Sequence, residues 1–565
     1  MKALILLVCL FSSIFIKSQN NYKYLDINQV KAGLSNRGDM HWDLAAGNPA
    51  YEVPIGSGKH SDFATGLWIG ALDLGNQLHV AAQTYRQSGV DFWPGPLDTI
   101  NGSVSSVVSN QFDKIWKLNQ TDINLFITNF NNGNVQNGTY IPVADLLSWP
   151  AQGTGNYSRN LAPFMDVNNN HIYDPLVGGD YPIIKGDQSL YFIFNDNLST
   201  HQATGSSALK VEVHATAYAY GNSAIASQYP FLSNATFYNY KIINRSNMNY
   251  HNAYVTLWTD VDIGYYLDDY IGCDVGGNYG YAYNADANDE AVSGMGGYGL
   301  NPPAAGYQVL KGPFMPIDGL DNNNNGIIDE ACEQQLMSRF TYFNNSFPGV
   351  PLQSTDPQNG AQYYQYMSGF WRDGSPFTCG GNGYGGSVAT PFVYPGVTYS
   401  NSPCGATSWF EASTPGDRRY MIGIGPFDFN SNSIQEIEYV HCTSFDYINH
   451  NPVVKLKTDM QMLKTFSDVF NPSDCIQSSI KEIENVTTVE LYPNPTNSSF
   501  VISLKNRNEM IIDVVILDVL GKEIKKIKND QSNQLTINVA DLPSGIYFAK
   551  VFLEKGSVIK KIIKE

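Results

Sequence analysis

Short runs in which apolar and polar side chains alternate, each ended by Gly, Pro, Asn or Asp, recur along nearly the whole chain. Lys210-Val-Glu-Val-His-Ala-Thr216, Ala235-Thr-Phe-Tyr-Asn-Tyr-Lys-Ile-Ile243 and Tyr254-Val-Thr-Leu-Trp258 are examples. A period of two residues puts every second side chain on one face of a strand, so these runs favour antiparallel sheets with one buried and one solvated face. One stretch departs from the pattern. Val453, Val454, Leu456, Met460, Leu463, Phe466 and Phe470 recur at helical spacing and predict a helix. Because 565 residues exceed one ordinary domain, the expected fold is all-β and multidomain, with β-sandwich modules and long Gly/Asn-rich loops. Residues 294–306 and 374–402 hold too few regular apolar positions for long elements and are expected to be loops.

The N-terminus reads Met1-Lys2, an apolar run from Ala3 to Ile16, then Lys17-Ser18, the layout of a secretory signal peptide over residues 1–18 that leaves Gln19 first. That run is too short to span a bilayer, and no later segment is apolar for long enough. Two β-rich modules are expected next: 19–195, containing an Asn/Asp loop, and 196–478, containing Gly-rich insertions and the one helix. A small β-sandwich follows at 489–565, where Phe500-Val-Ile-Ser-Leu504, Ile511–Asp518, Leu535–Val539, Ile546–Leu553 and Val558–Ile563 are separated by turn signals. Charge separates this tail from the rest. It carries 11 Lys+Arg and 9 Asp+Glu, whereas the whole chain has 34 and 52. So acidic a body does not suit nucleic acid or an anionic membrane, which need a basic surface; a cation such as calcium is the natural counter-charge.

Leu491-Tyr-Pro-Asn-Pro495, Asp518-Val-Leu-Gly-Lys522, Leu542-Pro-Ser-Gly-Ile-Tyr547 and Lys560-Lys-Ile-Ile-Lys564 resemble, in order and spacing, the type A C-terminal sorting domain of the type IX secretion system of Bacteroidota. The resemblance implies an immunoglobulin-like sandwich that engages the type IX machinery, carries the protein across the outer membrane and is removed there. The cargo would be left secreted, or attached to the cell surface through a lipopolysaccharide or surface-glycan anchor. Gly66-Leu-Trp-Ile-Gly70, Asp91-Phe-Trp-Pro-Gly-Pro96, Trp258-Thr-Asp-Val-Asp262, Asp268-Asp-Tyr-Ile-Gly-Cys-Asp274 and Arg419-Tyr-Met-Ile-Gly-Ile-Gly-Pro426 resemble blocks of large secreted proteins of the same bacteria, which imply no activity.

Six cysteines follow the signal peptide, and an even number in an exported chain suggests disulfides. Cys379 with Cys404, bracketing a Gly-rich loop, and Cys442 with Cys475 are the expected pairs. No Cys-x-x-Cys pair supports a zinc or redox site.

Two loops place oxygen-bearing side chains at every second position: Asp166, Asn168, Asn170 and Asp174, and Asp321, Asn323, Asn325 and Asp329. Backbone carbonyls are expected from Ile172 and Ile327. Such winding loops suit calcium, which takes six to eight oxygen ligands. Val177 and Cys332 stand where an EF-hand has its bidentate Glu, so Asp180 in the first loop, and Asp318 or Glu330 in the second, are the candidates to close the shell. His171 replaces the Gly of the sharp turn. With so few carboxylates, the expected affinity is on the order of 10⁻⁴ to 10⁻³ M. Asp260, Asp262, Asp268, Asp269 and Asp274 form an acidic cluster that could hold another cation or supply the acid and base of a glycosidase.

Other motifs fail. Gly56-Ser-Gly-Lys59 lacks the first Gly and the closing Ser or Thr of a phosphate loop, and neither His-Glu-x-x-His nor Gly-x-Ser-x-Gly occurs. Trp68, Trp93, Trp371 and Trp409 are expected in the core rather than on a sugar platform. The functional expectation is a secreted or cell-surface protein that binds, adheres or builds structure without catalysis, with calcium-stabilised loops. The alternative is a secreted polysaccharide hydrolase using the acidic cluster. A coat or filament subunit is a third reading.

Overall fold

The computed structural model describes residues 21–471 and 489–564, apart from 87–88, 222, 292–295, 316–318, 324–326, 330–332, 398, 400, 505–509, 518–522 and 554–555. Signal peptide residues 1–18 and Cys475 fall outside this set. The chain divides into two compact units, one reaching Lys464 and one holding the C-terminal tail.

Two nine-stranded sheets, antiparallel throughout, form the body of the first unit, with three two-stranded ribbons beside them among the described residues. The first runs Tyr22–Leu25, Lys31–Ser35, Asp39–Met40, Ala64–Asp73, Tyr250–Asp260, Arg418–Phe429 and Arg339–Asn344, with Tyr51–Glu52 and Leu78–Ala82 paired alongside. The second runs Trp116–Asn119, Gln188–Asn195, Val211–Ala219, Ala235–Asn244, Ile434–Ser444, Ala304–Lys311, Tyr279–Asn284 and Asp269–Asp274, with Trp93–Pro94 beside the second of these. One hydrophobic core joins side chains of both, including Leu67, Trp258 and Ile422 from the first and Phe192, Val213 and Tyr439 from the second.

The boundary expected at 195/196 lies within this unit. It separates Gln188–Asn195 from Val211–Ala219, which pair from Gln188↔Ala219 to Asn195↔Glu212. Likewise Ala64–Asp73 pairs with Tyr250–Asp260. The two expected modules are therefore interleaved in a single sandwich.

The solvated outer faces are also corrected. Along Gln188–Asn195, Leu190, Phe192 and Phe194 enter the inter-sheet core, while Tyr191 and Ile193 turn outward into a second cluster with Trp116, Phe126, Leu146 and Trp149. On the first sheet, the helix Gly360–Ser368 lies against the outer face and sets Tyr363 edge-on to Trp68, with ring centroids 4.7 Å apart. This approach requires glycine at position 70, where a Cβ would sit 2.9 Å from Tyr364 Cδ2. The chain thus buries large aromatics on both sides of its sheets. Trp68, Trp93, Trp371 and Trp409 are all buried, as expected.

Cys379 and Cys404 form a disulfide that closes the Gly-rich loop. Cys442 is a free, buried thiol, so the expected bond with Cys475 is not made. The predicted helix is present as Pro452–Phe470, burying Leu456, Met460 and Leu463. Asp459 accepts from Ser444 Oγ at 2.7 Å and Lys457 pairs with Asp274 at 3.1 Å.

The second unit is a small sandwich. A three-stranded sheet (Val489–Tyr492, Ser499–Leu504, Gln534–Asn538) and a four-stranded one (Glu523–Ser532, Ile511–Leu517, Gly545–Leu553, Gly556–Lys564) share a core that includes Phe500, Ile502, Val514, Ile537, Val551 and Ile562.

Candidate functional site

The most concentrated chemistry on the first unit lies where two neighbouring strands of the first sheet meet a loop. Tyr250–Asp260 and Arg418–Phe429 pair with Asp260 opposite Arg419. Directly opposed residues share a face and side chains alternate along a strand, so Asp260 and Arg419 are brought together by register. Asp262 and Asp417, each two residues from one of that pair, come to the same place. Single oxygens of Asp260, Asp262 and Asp417 all lie within 4.8 Å of one another, and all three residues are buried.

Arg419 Nε is 3.1 Å from Asp260 Oδ1, and its Nη1 donates to Asp417. Tyr85 donates its hydroxyl to Asp260. Asn345 Nδ2 donates to Asp417 Oδ2 at 2.8 Å. Asp262 Oδ1 is buried and has no hydrogen-bond donor. Burial pushes the Asp260 carboxyl up to about 7, against the pull of Arg419. It pushes Asp262 well above the usual carboxylate range, reinforced by the charges of Asp260 and Asp417.

These groups floor a pocket of about 420 Å³. Trp42, Phe63, Tyr85, Tyr266 and Phe347 wall it, and Asp356 adds a further carboxylate. The Trp42 indole N–H is buried without an acceptor.

The acidic cluster expected over 260–274 is thus divided. Asp269 is buried and caps the Ile263 N–H at 2.9 Å. Burial and the neighbouring carboxylates Asp289 and Glu290 raise Asp268 to about 7, and Asp274 pairs with Lys457. Asp417, Arg419 and Tyr85 were missed by sequence reasoning. The available signal was an Asp-x-Arg beginning one strand and an Asp-x-Asp ending another, which becomes informative only once the pairing is known.

The first Asn/Asp loop coils on itself. Asp166 accepts the N–H groups of Asn170 (3.1 Å) and His171 (2.8 Å), and Asn170 Oδ1 accepts that of Ile172 (2.8 Å). Asn168 and Asn170 donate their side-chain amides to Asp174. Asp180 joins the loop by accepting the N–H groups of Val167 (2.8 Å) and Asp174 (3.0 Å). Burial and the adjacent Asp174 raise the Asp180 carboxyl. His171 adopts the left-handed backbone expected of Gly, with φ 60°.

In the second loop Asp318, Asn325 and Glu330 lie outside the described residues. Asp329 accepts the Gly319 N–H with both oxygens at 3.1 Å, and the Asn323 carbonyl accepts from Asn278 Nδ2 at 3.2 Å. Asp321 and Ile327 are described, with Ile327 exposed. Glu333 reaches back to the Asn322 N–H, supplying a carboxylate one residue beyond the position occupied by Cys332.

A further polar cluster lies between the sheets. His41 bridges Asp62 and Tyr238 at 2.9 Å each, Tyr307 donates to Asp62 at 2.6 Å, and His441 lies edge-on to Tyr51 and Tyr307 with centroids 4.3 and 4.4 Å away. Burial opposes the Asp62 charge, but His41, His441 and the Tyr307 hydroxyl outweigh it and hold the carboxyl below its usual range. All these side chains are wholly buried, so the network braces the core.

In the second unit the motif residues stitch the sandwich closed. Asn494 Nδ2 donates to the Lys561 carbonyl and its Oδ1 accepts the Ile563 N–H, both at 2.8 Å, while Tyr547 donates to the Pro543 carbonyl at 3.0 Å. Asp518–Lys522 lies outside the described residues. Residues 490–565 match the family model of the secretion system C-terminal sorting domain. The chain is cargo of the type IX secretion system. As type IX cargo it is secreted, and its tail is the part that addresses the secretion machinery. Among the described residues no helix is long and apolar enough to cross a membrane. No curated protein matches the chain. Among solved structures, a polysaccharide lyase is similar at 7% identity and a TM-score of 0.17, over 68% of this chain and 37% of that one.

Proposed function

We propose that this type IX cargo acts outside the cell by binding or by building surface structure rather than by catalysis, with calcium holding its Asn/Asp loops. The observation that carries the non-catalytic reading is the division of the acidic cluster. Asp269 and Asp274 are committed to structural partners, which leaves Asp260 and Asp262 as the members of the sequence cluster that line the pocket. A glycosidase needs two carboxyl groups about 5–9.5 Å apart facing each other across a sugar. The calcium reading is supported by the first loop, where Asp166, Asn168, Asn170, Asp174 and Asp180 already gather in one coil. Hard cations favour such sets of oxygen ligands.

Calcium titration of the full chain with thermal unfolding tests the loops. Asp174→Asn and Asp329→Asn should each remove part of the stabilisation. A glycan-binding screen run beside a polysaccharide-depolymerisation assay tests the activity class. Product release abolished by Asp262→Asn would overturn the non-catalytic reading in favour of the hydrolase. Fractionation of cells and medium reads whether the cargo is released or stays anchored.

A further inference from the structure

We propose that Asp260, Asp262 and Asp417 chelate one divalent cation of the calcium class at the floor of the aromatic-walled pocket. This site is separate from both Asn/Asp loops. Three carboxylate oxygens within 4.8 Å of one another have the spacing of ligands around one ion, since calcium–oxygen bonds are about 2.3–2.6 Å long and opposite ligands sit about twice that apart. Two further observations point to something bound there. Asp262 is 6% exposed, lines the pocket and has a buried carboxylate oxygen with no donor, a state that normally calls for a partner or a metal. The Trp42 indole N–H, on the wall of the same pocket, is buried with no acceptor.

Charge sets the valence. The three carboxylates face one guanidinium, Arg419, which contacts Asp260 and Asp417. The next arginine, Arg418, is engaged by Glu411 at 3.0 Å. With all three carboxylates ionised, as cation binding requires, they exceed Arg419 by two negative charges, the complement of a divalent ion. Donor chemistry sets the class: all three ligands are carboxylates, with no Cys or His among them, which suits calcium or magnesium rather than zinc or copper. Asp62 is not among the carboxylates whose oxygens converge there, and its Oδ2 is taken by His41, Thr65 and Tyr307. Three protein ligands leave coordination positions open toward the pocket, where water or the oxygen atoms of a bound ligand complete the shell.

The test uses the full chain stripped with chelator and returned to calcium or magnesium, with unfolding followed by tryptophan emission. At a hundredfold excess over a dissociation constant on the order of 10⁻⁴ M, one site raises the midpoint by roughly 2–3 °C in a unit this large. Asp262→Asn should lose this increment while its ion-free midpoint equals or exceeds the parent's, because Asn keeps the shape of the uncharged carboxyl without the cost of burying its ionised form. Asp417→Asn should lose it too, whereas Asp174→Asn in the first loop keeps it. Terbium(III) luminescence sensitised by Trp42 gives a second readout, lost in both Asp262→Asn and Trp42→Phe, with calcium stabilisation kept in Trp42→Phe. The assignment is overturned if Asp262→Asn keeps the parent's full response, or if its ion-free midpoint falls below the parent's. It is equally overturned if methylammonium or guanidinium salts, and not divalent ions, stabilise the chain in an Asp262-dependent way, since the pocket would then take an organic cation.

Discussion

Acidifying the protein from pH 7 to pH 5 should weaken the first unit through His441. Its imidazole is buried among Tyr51, Tyr307 and His41, and its Nδ1 has no hydrogen-bond partner. Burial pushes its pKa down from 6.5 to about 3; the Asp62 charge pulls it up only in part, and His41 opposes it. The sign follows directly. Below pH 6.5 the unfolded chain binds a proton that the folded chain refuses, so stability falls as pH falls and the loss levels off near pH 3. At pH 5 a difference of this size costs on the order of 2 kcal/mol, rising toward about 5 kcal/mol near pH 3. Tryptophan emission during urea unfolding is the assay, since all eight tryptophans precede residue 465 and none lies in the sorting domain. His214, likewise buried with a lowered pKa, contributes in the same direction, so the parent alone does not isolate His441. His441→Leu does: it removes the titrating group and should shrink the pH 7-to-5 loss by about 2 kcal/mol. Equal pH slopes in parent and variant would refute the reasoning.

Three other perturbations have defined outcomes. Glu212 is buried and accepts from Leu97 N, His214 Nε2 and Arg245 Nη2; burial opposes its charge, but these partners hold its pKa at about 2. Its contribution is present above about pH 4.5 and lost as pH falls toward 2, and Glu212→Gln at pH 7 should cost about 3–5 kcal/mol in urea unfolding by leaving Arg245 uncompensated. Trp258→Ala empties a wholly buried site stacked 6.2 Å from Trp68 and should cost about 3–5 kcal/mol by the same assay. Replacing Cys379 and Cys404 together with Ser opens a loop of sequence separation 25 and should cost about 3 kcal/mol, with proteolysis appearing first inside 379–404.

How far the sequence could be read follows from the range of each signal. The helix at Pro452–Phe470, the sandwich of the tail and the Cys379–Cys404 pair were legible because spacing or proximity along the chain determines them. Residues 166–180 were legible as a loop for the same reason, and Asp180 joins it by accepting the Val167 and Asp174 N–H groups. The division into modules was not, because sequence carries no mark that Ala64–Asp73 pairs with a strand beginning at Tyr250. The outer faces were misread where Tyr191 and Ile193 sit between core positions: an apolar residue in an alternating run says only that a face is buried, and both are. The acidic pocket was half legible. Asp260 and Asp262 announce themselves as neighbours, while Asp417 and Arg419 join them only through antiparallel register.

The interleaving of the sheets also fixes an order in time. Synthesis delivers Ala235–Asn244 and Ala304–Lys311 well before Ile434–Ser444, the strand that sits between them. Until it arrives, both present unpaired edges open to wrong partners. The first sheet waits in the same way for Arg418–Phe429 to join Tyr250–Asp260 to Arg339–Asn344. Pairings this distant along the chain form slowly. Since the sorting domain begins after residue 488, any chain long enough to display its export address already contains the strands that seal both sheets, and fragments ending before Arg418 carry neither the seal nor the address.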